Sequence, residues 1–124
     1  MTELLQDDEY ERRFAGVAKI YGEDSFSHYE KSHVMVIGIG GVGSWAVEAL
    51  ARSGIGELTL VDMDVVAASN INRQLPAMST TLGHEKIEVM AERCRSINPR
   101  IKINLIDDYL TPENVTEILA GKPD

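Results

Sequence analysis

Cysteine, basic charge and long apolar runs are all scarce in this sequence, and each scarcity excludes something. A single cysteine, Cys94, rules out an intrachain disulfide and a Cys-x-x-Cys zinc knuckle within the 124 residues. Twelve Lys plus Arg against twenty Asp plus Glu give a formal net charge of −8. That balance argues against a broad nucleic-acid-binding face, which needs clustered cations to displace counterions, and leaves room only for a small local basic site. The longest stretch without a charge, Val34 to Val47, has 14 residues broken by four glycines. It falls short of the roughly 20 apolar residues that cross a bilayer, so no membrane partner is expected. Met1 to Glu9 is acidic and lacks an apolar run, unlike a secretory signal or an Arg-rich transit peptide, and a cytoplasmic location is the expectation.

What is present fits one globular domain or part of one, at 44% hydrophobic and 26% charged residues. Tyr10, Phe14, Val17, Ala18 and Tyr21 recur at helical spacing, and Gly22 ends that helix, so residues 1–32 read as an N-terminal helical extension. Val34-Met35-Val36-Ile37 reads as a strand buried on both faces of a parallel sheet. After a run of glycines, Val42, Ala46, Ala49 and Leu50 form a second helical stripe closed by Gly54 and Gly56, with Trp45 packed between this helix and its neighbours. Leu58 to Val61 is the next strand. From Asp62 to Gly83 periodicity is lost, which predicts a long loop with one short helical turn around Val65 to Ala68. Loops of that length in compact domains are usually functional. Ile87, Met90, Ala91 and Cys94 restore the helical period up to Asn98-Pro99, and Ile101, Ile103 and Leu105 alternate as a strand. Thr111 as cap and Pro112 then open a last helix with Val115, Ile118 and Leu119 inward, and Lys122 to Asp124 reads as a turn.

This order is that of a Rossmann-like, doubly wound α/β unit with a mainly parallel sheet. Residues 33–124 form the N-terminal part of a nucleotide-binding domain and stop after about three strands, where a fourth is expected, so the chain reads as a truncated piece.

Gly38-Ile39-Gly40-Gly41-Val42-Gly43 matches G-x-G-x-x-G between a strand and a helix, the context that gives the motif meaning. Gly38 permits the tight turn, Gly40 lets backbone approach a phosphate, and Gly43 allows helix and sheet to pack closely. Asp62, 19 residues after Gly43, stands where a carboxylate accepts hydrogen bonds from ribose hydroxyls. A dehydrogenase using NAD would satisfy these features equally well, but it has no need of Asp62-Met63-Asp64, Ser69 to Gln74, or Lys86 at a helix start.

The stretch from about Arg13 to Pro99 resembles the ThiF/MoeB/HesA (E1-like) family of ATP-dependent adenylating proteins, through the glycine turn, D-x-D at Asp62 and Asp64, S-N-x-x-R-Q from Ser69 to Gln74, Gly83 with Lys86, and Ile97-Asn98-Pro99. Arg12-Arg13-Phe14, Gly43-Ser44-Trp45 and Asn70 to Gln74 look most like the branch that dehydrates threonylcarbamoyladenosine in tRNA. The resemblance implies ATP as cosubstrate, with Gly41 against the nucleotide, Asp62 on its ribose, Asn70, Arg73 and Lys86 around its phosphates, and Ser69 among the nucleotide-binding residues. It also implies a homodimer in which Arg13 reaches the partner's triphosphate, and a Mg²⁺-linked Asp lying beyond Asp124. Adenylation brings two anions together, and Arg73 and Lys86 are the cations suited to offset their repulsion.

Plainer readings stand beside these. Arg73, Lys86 and Arg13 could be solvated surface charges, and Ser69 and Asn70 simple turn formers. Asp64 is expected to fix the loop by accepting backbone N–H bonds rather than to catalyse. Cys94 shares the stripe of Ile87, Met90 and Ala91 and reads as a core residue, not a thioester nucleophile. His28, His33 and His84 have no mutual ligand spacing, so no zinc is expected. Two further functions stay open: adenylation of the C-terminal Gly of a ubiquitin-like sulfur carrier, and an NAD-binding redox or non-catalytic module. The acidic charge sits awkwardly with tRNA unless basic surface lies outside these residues.

Overall fold

Three parallel strands, β1 (His33–Ile37), β2 (Glu57–Val61) and β3 (Lys102–Ile106), lie in the order β1-β2-β3 in a computed structural model that describes residues 6–124. The first five residues of the expected helical extension lie outside the described residues. The register aligns His33 with Glu57 and Lys102, so Val34, Val36, Leu58, Leu60, Ile103 and Leu105 share one face. On that face α3 (Gly43–Arg52) and α4 (Lys86–Ile97) close the main core with Val47, Ala51, Ile87, Met90 and Cys94. The opposite face carries His33, Met35, Thr59 and Asn104 toward α5 (Val115–Leu119), across a cleft of about 350 Å³. The chain is therefore the Rossmann-like α/β arrangement its element order predicts.

Burial on both faces belongs to β2, not β1: Leu58 to Val61 are buried, while Ile37 is 45% exposed. Among the described residues β1 is an outer strand of the sheet, paired along its length with β2 alone, and on its other edge the Asp124 N–H donates to His33 O at 2.7 Å. No helix among the described residues is long and apolar enough to cross a membrane.

Helix α1 (Asp7–Tyr21) ends at Gly22, whose φ of 94° turns the chain directly into α2 (Glu23–Lys31). Sequence periodicity gives little sign of α2, because none of its residues is fully buried and its inward apolar side chains are only Phe26 and Tyr29. It is held through Phe26, stacked on Phe14 with ring centroids 5.8 Å apart, and through its C-terminal turn against the start of β2. Gly56 is needed for that contact, since a Cβ there would lie 1.8 Å from Glu30 O. Of the two glycines expected to cap α3, only Gly54 does so, at φ 86°. The N–H of Gly54 donates to Ala51 O, and that of Ile55 to Leu50 O.

The fully buried face of α3 is Ser44, Val47 and Ala51; of the expected stripe Leu50 packs against the core, while Ala49 is exposed and Val42 is 85% exposed in the turn before the helix. The close approach of Gly43 to Gly38 fixes the rotation of the helix and turns Ser44 inward. α4 buries Ile87, Met90, Ala91 and Cys94 and stops before Asn98-Pro99 as its period predicts. The short helical turn of the long loop lies at Ala68–Asn70, C-terminal to its expected place. Thr111 caps this segment as expected: its Oγ1 accepts the Asn114 N–H, its carbonyl accepts the Val115 N–H, and Asn114 Oδ1 accepts the Thr111 N–H in return, while the regular helix α5 runs from Val115. Of its expected inward residues Ile118 is buried and Leu119 is 45% exposed.

Candidate functional site

The glycine motif sits at the carboxyl end of the sheet, and its glycines have distinct tasks. Gly38 has φ 88° and donates its N–H to Val61 O at 2.8 Å, which bends the chain sharply off β1 while keeping it tied to β2. A Cβ on Gly43 would stand 1.8 Å from Gly38 O, so only glycine lets α3 start this close to the strand. Gly40 has open space: an added Cβ would meet nothing nearer than Gln74 Nε2 at 3.9 Å. Gly41 lies under the stem of Arg73: a Cβ added there would stand 3.5 Å from Arg73 Cγ and Cδ. Ser44 stitches the turn to the loop, donating its hydroxyl to Gly40 O and accepting the Leu75 N–H.

Asp62, only 7% exposed, closes the turn from the β2 side. Its Oδ2 accepts the Ile39 N–H and its Oδ1 the Asp64 N–H, both at 2.7 Å. The backbone-fixing task expected of Asp64 thus falls to Asp62. The Asp64 carboxylate instead accepts the Tyr109 hydroxyl and stands 4.0 Å from Lys86 Nζ.

Across the turn, Asn70 Oδ1 accepts the Ala67 N–H, and Arg73 Nη1 donates to Ser69 O at 3.0 Å and Asn72 Oδ1 at 2.9 Å. Ser69 and Asn70 do form a turn, and that turn aims Arg73 over the glycines. Trp45 is 52% exposed rather than packed between helices; its Nε1–H donates to Arg73 O at 2.9 Å. Gln74 is 8% exposed; its Oε1 is buried without a hydrogen-bond partner, and its Nε2 borders the Gly40 space.

Lys86 is the most unusual charge here. Its side chain is 7% exposed, it opens α4, and its carboxylate neighbour is at 4.0 Å. A cation at the N-terminus of a helix opposes the helix dipole, and a buried ammonium needs compensation. An anion at this point would supply that compensation. Arg13 is not in this group. It donates to Ser96 O and Ile97 O, at the far end of α4 from Lys86. Eleven residues at ~1.5 Å each separate those ends by about 16 Å. Arg13 borders a separate cleft of about 470 Å³ with Phe14, Arg52 and Arg93. Cys94 is fully buried, and desolvation pushes its thiol up to about 11. Sequence reasoning missed Tyr109 and the burial of Gln74. The available signal was position, because Tyr109 follows β3 at the carboxyl end of the sheet, where α/β folds bind ligands.

Strand, glycine turn and helix, with a carboxylate ending the next strand, define the Rossmann-like class of α/β proteins. Residues 10–124 match the ThiF family, and the chain belongs to it. It is 56% identical over 119 residues to the tRNA threonylcarbamoyladenosine dehydratase of Haemophilus influenzae, covering 96% of this chain and 46% of that protein. It is 38% identical over 90 residues to the molybdopterin-synthase adenylyltransferase of Salmonella typhimurium, covering 73% of this chain and 36% of that protein. The crystal structure of E. coli tRNA N6-threonylcarbamoyladenosine dehydratase in complex with ATP matches with a TM-score of 0.93 and 47% identity, over 97% of this chain and 49% of that one. The chain spans about half the length of the dehydratases it matches.

Proposed function

We propose that these residues are the nucleotide-binding part of an ATP-dependent adenylating enzyme that dehydrates N6-threonylcarbamoyladenosine in tRNA to a cyclic base. The observation that carries the nucleotide reading is Lys86, a buried ammonium at the positive end of α4, linked through Asp64 and Asp62 to a glycine turn that Arg73 overlies. Similarity to the dehydratases over nearly the whole chain supports the choice of substrate.

The open room at Gly40 is of the kind a phosphate group needs, so the residues fit ATP. In this reading Gly38, Gly40, Gly41 and Gly43 form the cradle. Asp62 keeps lone pairs for ribose hydroxyls while holding the turn. Ser69 and Asn70 shape the phosphate side, and Arg73 faces it with its Nε and Nη2 hydrogens, since Nη1 is occupied by Ser69 and Asn72. ATP supplies the adenylyl group that makes a carboxylate oxygen a good leaving group. Arg73 and Lys86 offset the repulsion between the two anions and stabilise charge at the phosphorus and on the departing pyrophosphate. The nucleophile then comes from the same modified base, so proximity replaces any enzyme thiol, in keeping with an inert Cys94. Mg²⁺, where bound, would be held by the phosphates and by the Asp that the family resemblance expects after Asp124, and would neutralise phosphate charge. In a homodimer, Arg13 exchanges its bonds to the end of α4 for the partner subunit's triphosphate.

The test is to incubate the full-length protein with modified tRNA and ATP and weigh the digested nucleosides. An ATP-dependent loss of one water is expected. Unchanged nucleoside mass, with AMP appearing on the terminal Gly of a ubiquitin-like sulfur carrier, replaces this reading by the one that the molybdopterin-synthase relative favours. Calorimetric binding of NAD but not ATP overturns both.

A further inference from the structure

We propose that Tyr109 is a positioning residue for Lys86: its phenol holds the Asp64 carboxylate away from the Lys86 ammonium and so keeps that ammonium available to an incoming phosphate. The inference rests on the ATP reading above. It begins from an anomaly. Asp64 and Lys86 are neighbours of opposite charge, and the lysine is 93% buried by its 7% side-chain exposure, yet they stand 4.0 Å apart instead of in a contact pair. Charge-assisted N–H···O bonds close to about 2.8 Å when nothing restrains them. What restrains Asp64 is visible: its Oδ1 accepts the Tyr109 hydroxyl.

Tyr109 is itself fixed by bonds that serve no other evident purpose. Asp108 Oδ1 accepts its N–H at 2.8 Å, and Asn114 Nδ2 donates to its carbonyl at 2.7 Å. Asn114 is held in turn by its exchange with Thr111, the reciprocal pair of bonds that leads into α5. The segment between β3 and α5 is thus built to present one phenol to one carboxylate. The bond raises the Tyr109 pKa, first through donation to Asp64 and then through burial and the charges of Asp64 and Asp62, so the phenol remains a donor across the physiological range.

A lysine locked in a contact ion pair must break that pair before it meets a phosphate. Without the phenol, Asp64 is free to rotate onto Lys86, and anion binding weakens although no group that touches the anion has changed. Removing the Asp64 charge as well abolishes that competition. This pattern separates positioning from a general structural role, because a damaged fold is not repaired by a second substitution.

The experiment uses the full-length protein with Tyr109→Phe, Asp64→Asn and the double variant. Calorimetric ATP affinity should fall about three- to tenfold in Tyr109→Phe, while adding Tyr109→Phe to Asp64→Asn should change the affinity of Asp64→Asn by less than about twofold. Phenol absorbance, taken as wild type minus Tyr109→Phe, should show one tyrosine titrating above 10.0 that returns toward 10.0 in Asp64→Asn. Normal ATP binding by the wild type, with unchanged affinity in Tyr109→Phe or losses that add in the double variant, overturns the proposal alone. No ATP binding by the wild type overturns the nucleotide reading itself. An ordinary Tyr109 titration overturns the tether regardless of ATP.

Discussion

Replacing Asp62 by Asn removes one charge and almost no volume, and the structure says where the cost falls. Both carboxylate oxygens accept backbone N–H groups, from Ile39 and Asp64 at 2.7 Å, in a side chain left 7% exposed. Asn keeps one acceptor. Its amide N–H₂ must then face one of two backbone donors, so one bond is lost, a buried N–H is left unpaired, and the surviving bond loses its charge assistance. A hydrogen bond to a charged group contributes about 1.5–3 kcal/mol and an unpaired buried donor costs about 1–3 kcal/mol, so these overlapping losses come to about 3 kcal/mol. That is a large share of the ~5–15 kcal/mol that separates folded from unfolded domains. Urea unfolding of the full-length protein measures the total, and native-state hydrogen exchange at the Ile39 and Asp64 amides assigns it. The expected result is a lowered midpoint with at least one of the two amides exchanging freely. A loss below about 1 kcal/mol with both amides still protected refutes the reasoning.

Two further outcomes follow from buried or paired groups. Cys94 should resist alkylation at about pH 8 in the folded protein and react only on unfolding, and Cys94→Ala should keep activity at a cost of about 1 kcal/mol. Because its thiol is raised from 9.0 to about 11 on folding, stability is intact below pH 9 and should decline as pH rises from 9 toward 11, a decline smaller in Cys94→Ala by denaturant titration. Glu48 accepts two bonds from Arg93, at 2.6 and 2.9 Å, and one from Arg52, which hold its carboxyl below the ordinary 4.5. Its depressed pKa adds stability above 4.5 that is lost as pH falls below it. Glu48→Gln should therefore cost about 1 kcal/mol at neutral pH, discounted for the exposure of both arginines, and the difference from wild type should vanish in acid.

Elements whose burial follows a simple period were legible in the sequence. Ile87, Met90, Ala91 and Cys94 are the buried stripe of α4, and Val34 to Ile37 and Leu58 to Val61 are strands. Elements held by something other than an apolar stripe were not. Glu23–Lys31 has no buried residue and is positioned by Phe26 and by two glycines that belong to other elements. α3 turns a serine inward, where the Ser44 hydroxyl is satisfied by the Gly40 carbonyl, and a hydropathy pattern scores that residue as outward. The site residues were legible as chemistry but not as roles. Asp62 and Asp64 differ in what faces them, two backbone N–H groups for the first and the Tyr109 hydroxyl and Lys86 for the second, and the Arg13 guanidinium and Lys86 meet opposite ends of α4, whose placement depends on contacts distant in sequence.

The Trp45 indole, bonded to the Arg73 carbonyl and half open to solvent, gives the molecule an optical probe that needs no label. It is the chain's only tryptophan, so emission selected for indole comes from a single place within these residues. That place is joined to the backbone of the arginine lying over Gly41. Any rearrangement that lifts the loop from the glycine turn must break or bend the indole bond and change the polarity around the ring. Emission colour and quenching by a small neutral solute therefore follow the closing of this loop in real time, in dilute solution and at any pH the fold tolerates.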